Sequence, residues 1–202
     1  MLEERSRLRH LAETSDSNDM RTLLITFAVL VALSGSLYGQ QTEIAGGISW
    51  EWLQGDYGRW HLYNGWSAEA GRAVTAHLTL VGELGGNRYS TDSTNGWSES
   101  HSIYTFTAGA RVNTATRQRV IGFGQMLAGA VRVSTNLHTP PGPDFNGSGS
   151  SFFLQPGAEI DITATQSLAV RSAISMGIAD PWHSLSWHLP MWRLGAAAVY
   201  KW

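Results

Sequence analysis

The sequence predicts an all-β chain folded as an eight-stranded antiparallel up-and-down barrel of the membrane-crossing kind. Three observations predict it. After residue 43 the chain divides into eight segments in which apolar and polar side chains alternate with a period of two. The connections alternate between short and long, as they do when tight turns occupy one rim of a barrel and loops the other. The last segment runs to the final residue and ends on aromatics, Tyr200 and Trp202.

The segments follow in order. The first, Ile44 to Trp52, sets Ile48, Trp50 and Trp52 against Ser49 and Glu51. The second, Trp60 to Ala70, sets Trp60, Leu62, Trp66 and Ala68 against Tyr63, Gly65, Ser67 and Glu69. The third, Val74 to Tyr89, sets Leu78, Leu80 and Leu84 against Thr79, Glu83 and Asn87. The fourth, His101 to Val112, sets Tyr104, Phe106, Ala108 and Ala110 against Thr105, Thr107, Gly109 and Arg111. In the fifth, Arg119 to Ser134, the apolar set is Ile121, Phe123, Leu127, Val131 and Val133, opposite Gly122, Gly124, Met126 and Arg132. The sixth, Phe152 to Ile162, sets Phe152, Leu154, Ala158, Ile160 and Ile162 against Gln155, Gly157, Glu159 and Asp161. The seventh, Leu168 to Ile178, sets Leu168, Val170, Ile174 and Met176 against Arg171, Ala173 and Ser175. The eighth sets Trp192, Leu194, Ala196, Ala198, Tyr200 and Trp202 against Arg193, Gly195, Ala197, Val199 and Lys201. Segments of about ten residues suit a tilted crossing of the hydrocarbon layer.

Short links are expected at Gly71-Arg72, Asn113 to Gln118 and Thr163 to Gln166. Longer ones are expected at Ser90 to Ser100, Thr135 to Ser151 and Ala179 to Pro190, with an intermediate first link from Leu53 to Arg59. The prolines at 140, 141 and 143 and the Gly/Ser run from 147 to 151 single out the third loop of the long rim as the mobile segment.

Alternation alone fits a soluble barrel with an apolar interior as well as a membrane barrel with an apolar exterior. The polar face decides for the second. It is rich in Gly, Ser, Thr and Ala, which suits a narrow lumen better than a wetted surface. Its charges balance, with Glu51, Glu69, Glu83, Glu159 and Asp161 against Arg111, Arg132, Arg171, Arg193 and Lys201. Buried charges are tolerated when paired, so these ten are expected to form a charge-paired, plugged lumen. Trp50, Trp52, Trp60 and Trp66 are expected to mark one lipid interface, and Tyr200 and Trp202 the other.

Composition narrows the function classes. A net charge of −2 argues against nucleic-acid binding. The absence of cysteine excludes disulfides and thiol-based metal sites or nucleophiles. At the amino end, Met20 and Arg21 precede an apolar run over 22–33 and the small residues Ser34, Ser36 and Gly39. That is a secretory signal pattern, too short to span a bilayer. The expected organisation is therefore an extension over 1–19 outside the fold, a signal peptide over 20–39 and a barrel over 40–202.

The stretches 153–162, 167–171 and 192–202 resemble the last three strands of small outer-membrane β-barrel proteins of the OmpA-like superfamily. The resemblance covers about 42–202. It implies a bacterial outer-membrane location, outer-membrane lipids as surroundings and a monomer. Tyr200 and Trp202 also resemble the carboxy-terminal signal read by the barrel assembly machinery, with Ala197 where that signal often carries glycine. Members of the superfamily include anchors, adhesins, small pores and a few enzymes, so no single activity is implied.

Other chemistry is thin. His61, His101, His138, His183 and His188 fall near the long-loop rim and His77 near the other. Converging imidazoles can bind a metal, but the spacing matches no ligand motif and no cofactor is expected. Asp180, His183, Ser184 and His188 invite a lipid A deacylase-like reading, since such barrels pair Ser with His. The favoured expectation is a non-enzymatic structural or surface-interaction role. A lipid-modifying hydrolase and a soluble ligand-binding barrel are the alternatives.

Overall fold

The computed structural model describes residues 41–54, 60–92, 96–113, 119–138, 142, 144–179 and 191–202. They form eight strands: β1 (Thr42–Gln54), β2 (Trp60–Ala73), β3 (Leu78–Asp92), β4 (Ser98–Asn113), β5 (Val120–His138), β6 (Phe145–Thr163), β7 (Leu168–Ala179) and β8 (Met191–Lys201). Each pairs antiparallel with the next, and β8 pairs with β1 to close the barrel in sequence order. The seam is sealed at its very end: Thr42 and Trp202 exchange two backbone hydrogen bonds of 3.0 Å. The expected strand number, order and antiparallel pairing are the observed ones. The extension and signal segment lie outside the described residues.

The pairing register gives the stagger of the barrel. A row of partners starts at Ser102 and passes through Arg88, Asn64, Trp50, Leu194, Ile174, Ala158 and Gly124. It returns to β4 at Val112, ten residues from its start. Eight strands at this stagger tilt by roughly 40° and enclose an interior just wide enough for side chains.

Two connections differ from expectation. Gly71 and Arg72, expected as the turn after β2, are strand residues paired with Glu43 and Thr42. The turn is 74–77, and its twin is 164–167. The two use one device. Val74 N and Thr75 N donate to Leu78 O, and Thr75 Oγ1 accepts from His77 N at 3.2 Å and Leu78 N at 3.0 Å. Ala164, Thr165, Ser167 and Leu168 repeat the pattern, with Thr165 Oγ1 accepting at 3.3 and 3.1 Å. A threonine hydroxyl that caps following amides fixes a turn without glycine.

At the other rim two of the expected loops are largely ladder, while the third, expected from Ala179 to Pro190, lies outside the described residues beyond Ala179. Ser98 pairs with His138, Asn136 with Asn146 and Leu137 with Phe145, so the link expected over 135–151 shrinks to 139–144. Above the apolar belt both faces of a strand are wet. Ser, Gly and Asn then carry the pairing without any alternation of polarity to announce it.

One face was expected the wrong way round. Phe123, Leu127 and Val131 point inward and are buried, while Met126 is 55% exposed. Arg132 shares the outward parity of Met126 and sits beside exposed Tyr104. The reason lies in β5 itself. Its inward set (Ile121, Phe123, Leu127, Val131, Val133) is more apolar than its outward set (Gly122, Gly124, Met126, Ala128, Ala130, Arg132), so hydrophobic contrast points the wrong way. Pairing orients it: Gln125 lies opposite Arg111, whose side chain is inside.

Thr75→Val and Thr165→Val keep side-chain shape but remove the oxygen that two amides use. Each is expected to lower stability by about 1 kcal/mol, and the double variant by the sum because the turns are far apart. Urea unfolding of the detergent-refolded barrel measures this.

Candidate functional site

The interior is layered along the barrel axis. Nearest the turn rim is a dense ionic layer. Arg171 reaches across it: Nε and Nη2 grip both Asp161 oxygens at 2.7 and 3.0 Å, Nη2 meets Glu43 Oε1 at 3.0 Å, and Nη1 bonds Glu69. Arg111 meets Glu43 at 2.5 Å, Glu69 at 2.6 Å and Glu159 at 2.8 Å, and donates to Gln125 at 3.3 Å. Lys201 Nζ donates to Asp161 Oδ2 at 2.8 Å. All three cations also lie over the Phe123 ring, at 5.5, 5.6 and 6.0 Å from its centre, so the inward turn of β5 supplies a π face for charges stripped of water.

A smaller layer lies above. Arg193 Nη1 bonds Glu83, whose Oε1 also accepts from Gln155 at 3.3 Å. Gln155 donates in turn to Ser175 Oγ at 3.3 Å. Gly85 makes room for Arg193, since a Cβ there would stand 2.6 Å from Thr105 Oγ1 and 3.2 Å from Arg193 Nη2. Glu51 is the cross-strand partner of Arg193, and Ser49 Oγ donates to Asn87 Oδ1 at 2.7 Å. A cavity of about 30 Å³, lined by Glu69, Glu83, Gln125, Gln155, Arg171 and Arg193 among others, separates the layers. It has room for a water molecule or two.

Above the charges the lumen is apolar. Leu53, Tyr63, Ile103, Val131, Phe153 and Met191 pack as one buried cluster. Phe153 lies so close to Gly177 that a Cβ there would be 2.4 Å from its ring. Across the mouth, His61, Tyr63, Tyr89 and His101 stack edge to face or tilted.

Of the ten residues expected in the lumen, Glu51, Glu69, Glu83, Arg111, Glu159, Asp161, Arg171, Arg193 and Lys201 face inward, and Arg132 faces out. Glu43 joins them, bonded to both Arg111 and Arg171. It shares the parity of Ser49 and Glu51, and β1 starts at Thr42, two residues before the predicted Ile44. In these two layers six carboxylates therefore stand against four cations, not five against five. Tyr200 and Trp202 lie outward and stack at 5.7 Å.

Of the described histidines, His61 and His101 flank Tyr89 at the mouth, and the others lie apart. His77 bonds Asn113, His138 bonds Asp144, and His101 bonds Glu99 and Thr135. Among the described residues no group of three or more His, Cys, Asp or Glu is placed to hold a metal ion. Asp180, His183, Ser184 and His188 lie outside the described residues.

Fold and interior together define a class: a closed, eight-stranded antiparallel barrel, apolar outside and ion-paired within. Solved structures match it in fold. Ail, the attachment invasion locus protein of Yersinia pestis, superposes with a TM-score of 0.62 at 15% identity over 81% of this chain and 99% of its own. A major outer membrane protein from Thermus thermophilus gives 0.60 at 11%, over 82% and 100%. Neisserial surface protein A gives 0.59 at 11%, over 81% and 99%. At these identities the likeness is one of fold. No protein-family model matches the sequence, and no curated protein matches it.

Removing one partner of a buried ion pair strands the rest. Arg171→Met is expected to destabilise the barrel by about 3–5 kcal/mol, whereas Arg132→Gln, outside the lumen, is expected to cost less than about 1 kcal/mol. Denaturant midpoints of the two variants against the parent test the placement; equal losses would contradict it.

Proposed function

We propose that the protein is an integral barrel of the bacterial outer membrane, monomeric and non-enzymatic, with a plugged lumen and a structural or surface-interaction role. The observation that carries this reading is the inverted polarity. Ile44, Ile48, Leu80, Met126, Ile160 and Val170 are each about half exposed, while Arg111, Asp161 and Arg171 are buried almost completely. A soluble barrel has the opposite arrangement, and burying this many charges is repaid only if the alternative face must meet lipid.

The dimensions agree. Trp192 and Trp202 stand at opposite ends of β8, ten residues apart. At about 3.3 Å per residue and a tilt of about 40° they are separated along the axis by about 25 Å, the height of the apolar band of outer-membrane barrels. Aromatics at both ends match the interfacial preference of amphipathic rings. The filling of the bore supports the plugged-lumen reading: an apolar cluster packs on one side of the charges, and the cavity between the ionic layers is water-sized. What the cell gains must then lie on the outer surfaces, where β3 to β6 extend as paired strands at the loop rim. Tyr200 and Trp202, exposed at the end of the closing strand, are the residues we assign to recognition by the assembly machinery.

Membrane fractionation with heat-modifiable gel mobility tests the placement; a soluble periplasmic protein without a heat shift would overturn it. Planar bilayers are expected to show no unitary conductance from the purified barrel, and a steady ohmic current would refute the plugged lumen. Trp202→Ala is expected to reduce the folded, heat-modifiable fraction in the outer membrane several-fold while leaving refolding in detergent unchanged.

A further inference from the structure

The outward-facing strand positions carry almost no charge. Among those whose side chains are described, the formally charged ones are Arg72, Arg88 and Arg132, all of them cationic. Arg72 lies at the turn rim; Arg88 and Arg132 share the other end of the barrel.

Their heights follow from the stagger. Arg88 pairs with Ser102 and Arg132 with Tyr104. Ten residues of stagger over eight strands lower a pairing row by about 1.25 residues per strand from β4 towards β3, and raise it as much towards β5. Arg88 then lies below Ser102 and Arg132 above Tyr104, both level with Ile103. The two arginines thus stand at one height on either side of β4, two strand spacings across and two residues along it, about 12 Å apart. The same rows bring Trp52, Tyr104 and Phe152 to within about one residue of that height. This is the aromatic girdle, so the arginines sit where lipid headgroups sit. Below them the face is Leu84, Phe106 and Ala130; above them it is hydroxyls, with Arg88 Nη2 donating to Ser100 Oγ at 3.4 Å.

We propose that Arg88 and Arg132 bind the phosphate of a phosphorylated lipid in the surrounding outer leaflet. The ligand spans β4, its phosphate between the two guanidiniums, its polar part along Ser100 and Ser102 and its chains over Tyr104 and Phe106. Charge complementarity selects the occupant. An arginine at the middle of an apolar belt costs about 2–4 kcal/mol, and near an interface about 0–1. Planar guanidiniums match phosphate oxygens in pairs, and the two lie at one height on a face whose other described charged strand position, Arg72, is at the opposite rim. The inference rests on the membrane reading above.

The test uses the full barrel folded in a non-ionic maltoside, with native mass spectrometry of bound glycolipid. Bisphosphorylated lipid A is expected to be retained, and its dephosphorylated form to bind at least about tenfold more weakly. Arg88→Gln and Arg132→Gln are each expected to weaken binding of the phosphorylated lipid about tenfold, the loss of one charge-assisted contact. Arg72→Gln, at the other rim, is expected to leave it unchanged. Equal binding of the two lipids by the unaltered protein overturns the proposal, as does undiminished binding by both single variants. Displacement of the lipid by millimolar inorganic phosphate overturns the assignment to a lipid and makes the site one for free anion. Failure of the membrane reading itself has a separate signature, the absence of a heat shift in the unaltered protein.

Discussion

Closure between β1 and β8, with ten residues of stagger, is the constraint from which the rest of the structure follows. The reciprocal hydrogen bonds of Thr42 and Trp202 leave the seam without a loose end, and a barrel without edges satisfies its backbone wherever it is placed. The stagger fixes the tilt, and the tilt fixes the radius at a value that side chains alone can fill. Each inward residue must therefore be matched to those on strands across the bore. Arg171 of β7 meets Glu43 of β1 and Glu69 of β2 as well as its neighbour Asp161 on β6.

The bore is filled in two ways, and the division follows from desolvation. A guanidinium without water needs several acceptors at once, so the charges gather where acidic residues from β1, β2 and β6 converge on Arg111 and Arg171. Phe123 covers the faces of the cations that no oxygen reaches. Where no such convergence exists, the same bore is filled by Leu53, Tyr63, Ile103 and Phe153, which need none. Glycine sets the spacing in both halves: Gly85 admits Arg193, and Gly177 admits the Phe153 ring. A lumen that mixed the two fillings at one height would leave guanidiniums against methyl groups, with neither satisfied.

Much of this was legible in the sequence because a bilayer-height barrel writes its polarity with period two. Strand number, order and seven of eight facings were readable from residues such as Glu159, Asp161, Ile160 and Ile162, whose alternation is unambiguous. β5 was not readable, because the apolar layer of the lumen puts Phe123, Leu127 and Val131 inside while Gly124, Met126 and Arg132 are outside, and the contrast between the faces is reversed. What orients β5 is pairing with β4, a non-local fact. The hairpin of β5 and β6 was hidden for a related reason: beyond the belt both faces are wet, so Asn146 and Ser148 look like loop. The turn at Thr75 was hidden because a hydroxyl cap needs neither glycine nor proline.

The misplaced arginine is the informative one. Counted with the lumen, Arg132 made a neutral interior; counted outside, and with Glu43 added within, it leaves six carboxylates against four cations, and it gives the outer face a positive pair with Arg88. The two surfaces of one sheet thus carry opposite signs of charge under different solvents. Inside, charge is tolerated because partners on other strands of the same chain surround it, and those partners are fixed by closure. Outside, Arg88 and Arg132 open onto the layer in which the girdle of Trp52, Tyr104 and Phe152 is set, and that layer is where an anionic headgroup would meet them. Under the reading proposed above, that layer and the strands projecting beyond it are the surfaces on which such a barrel acts.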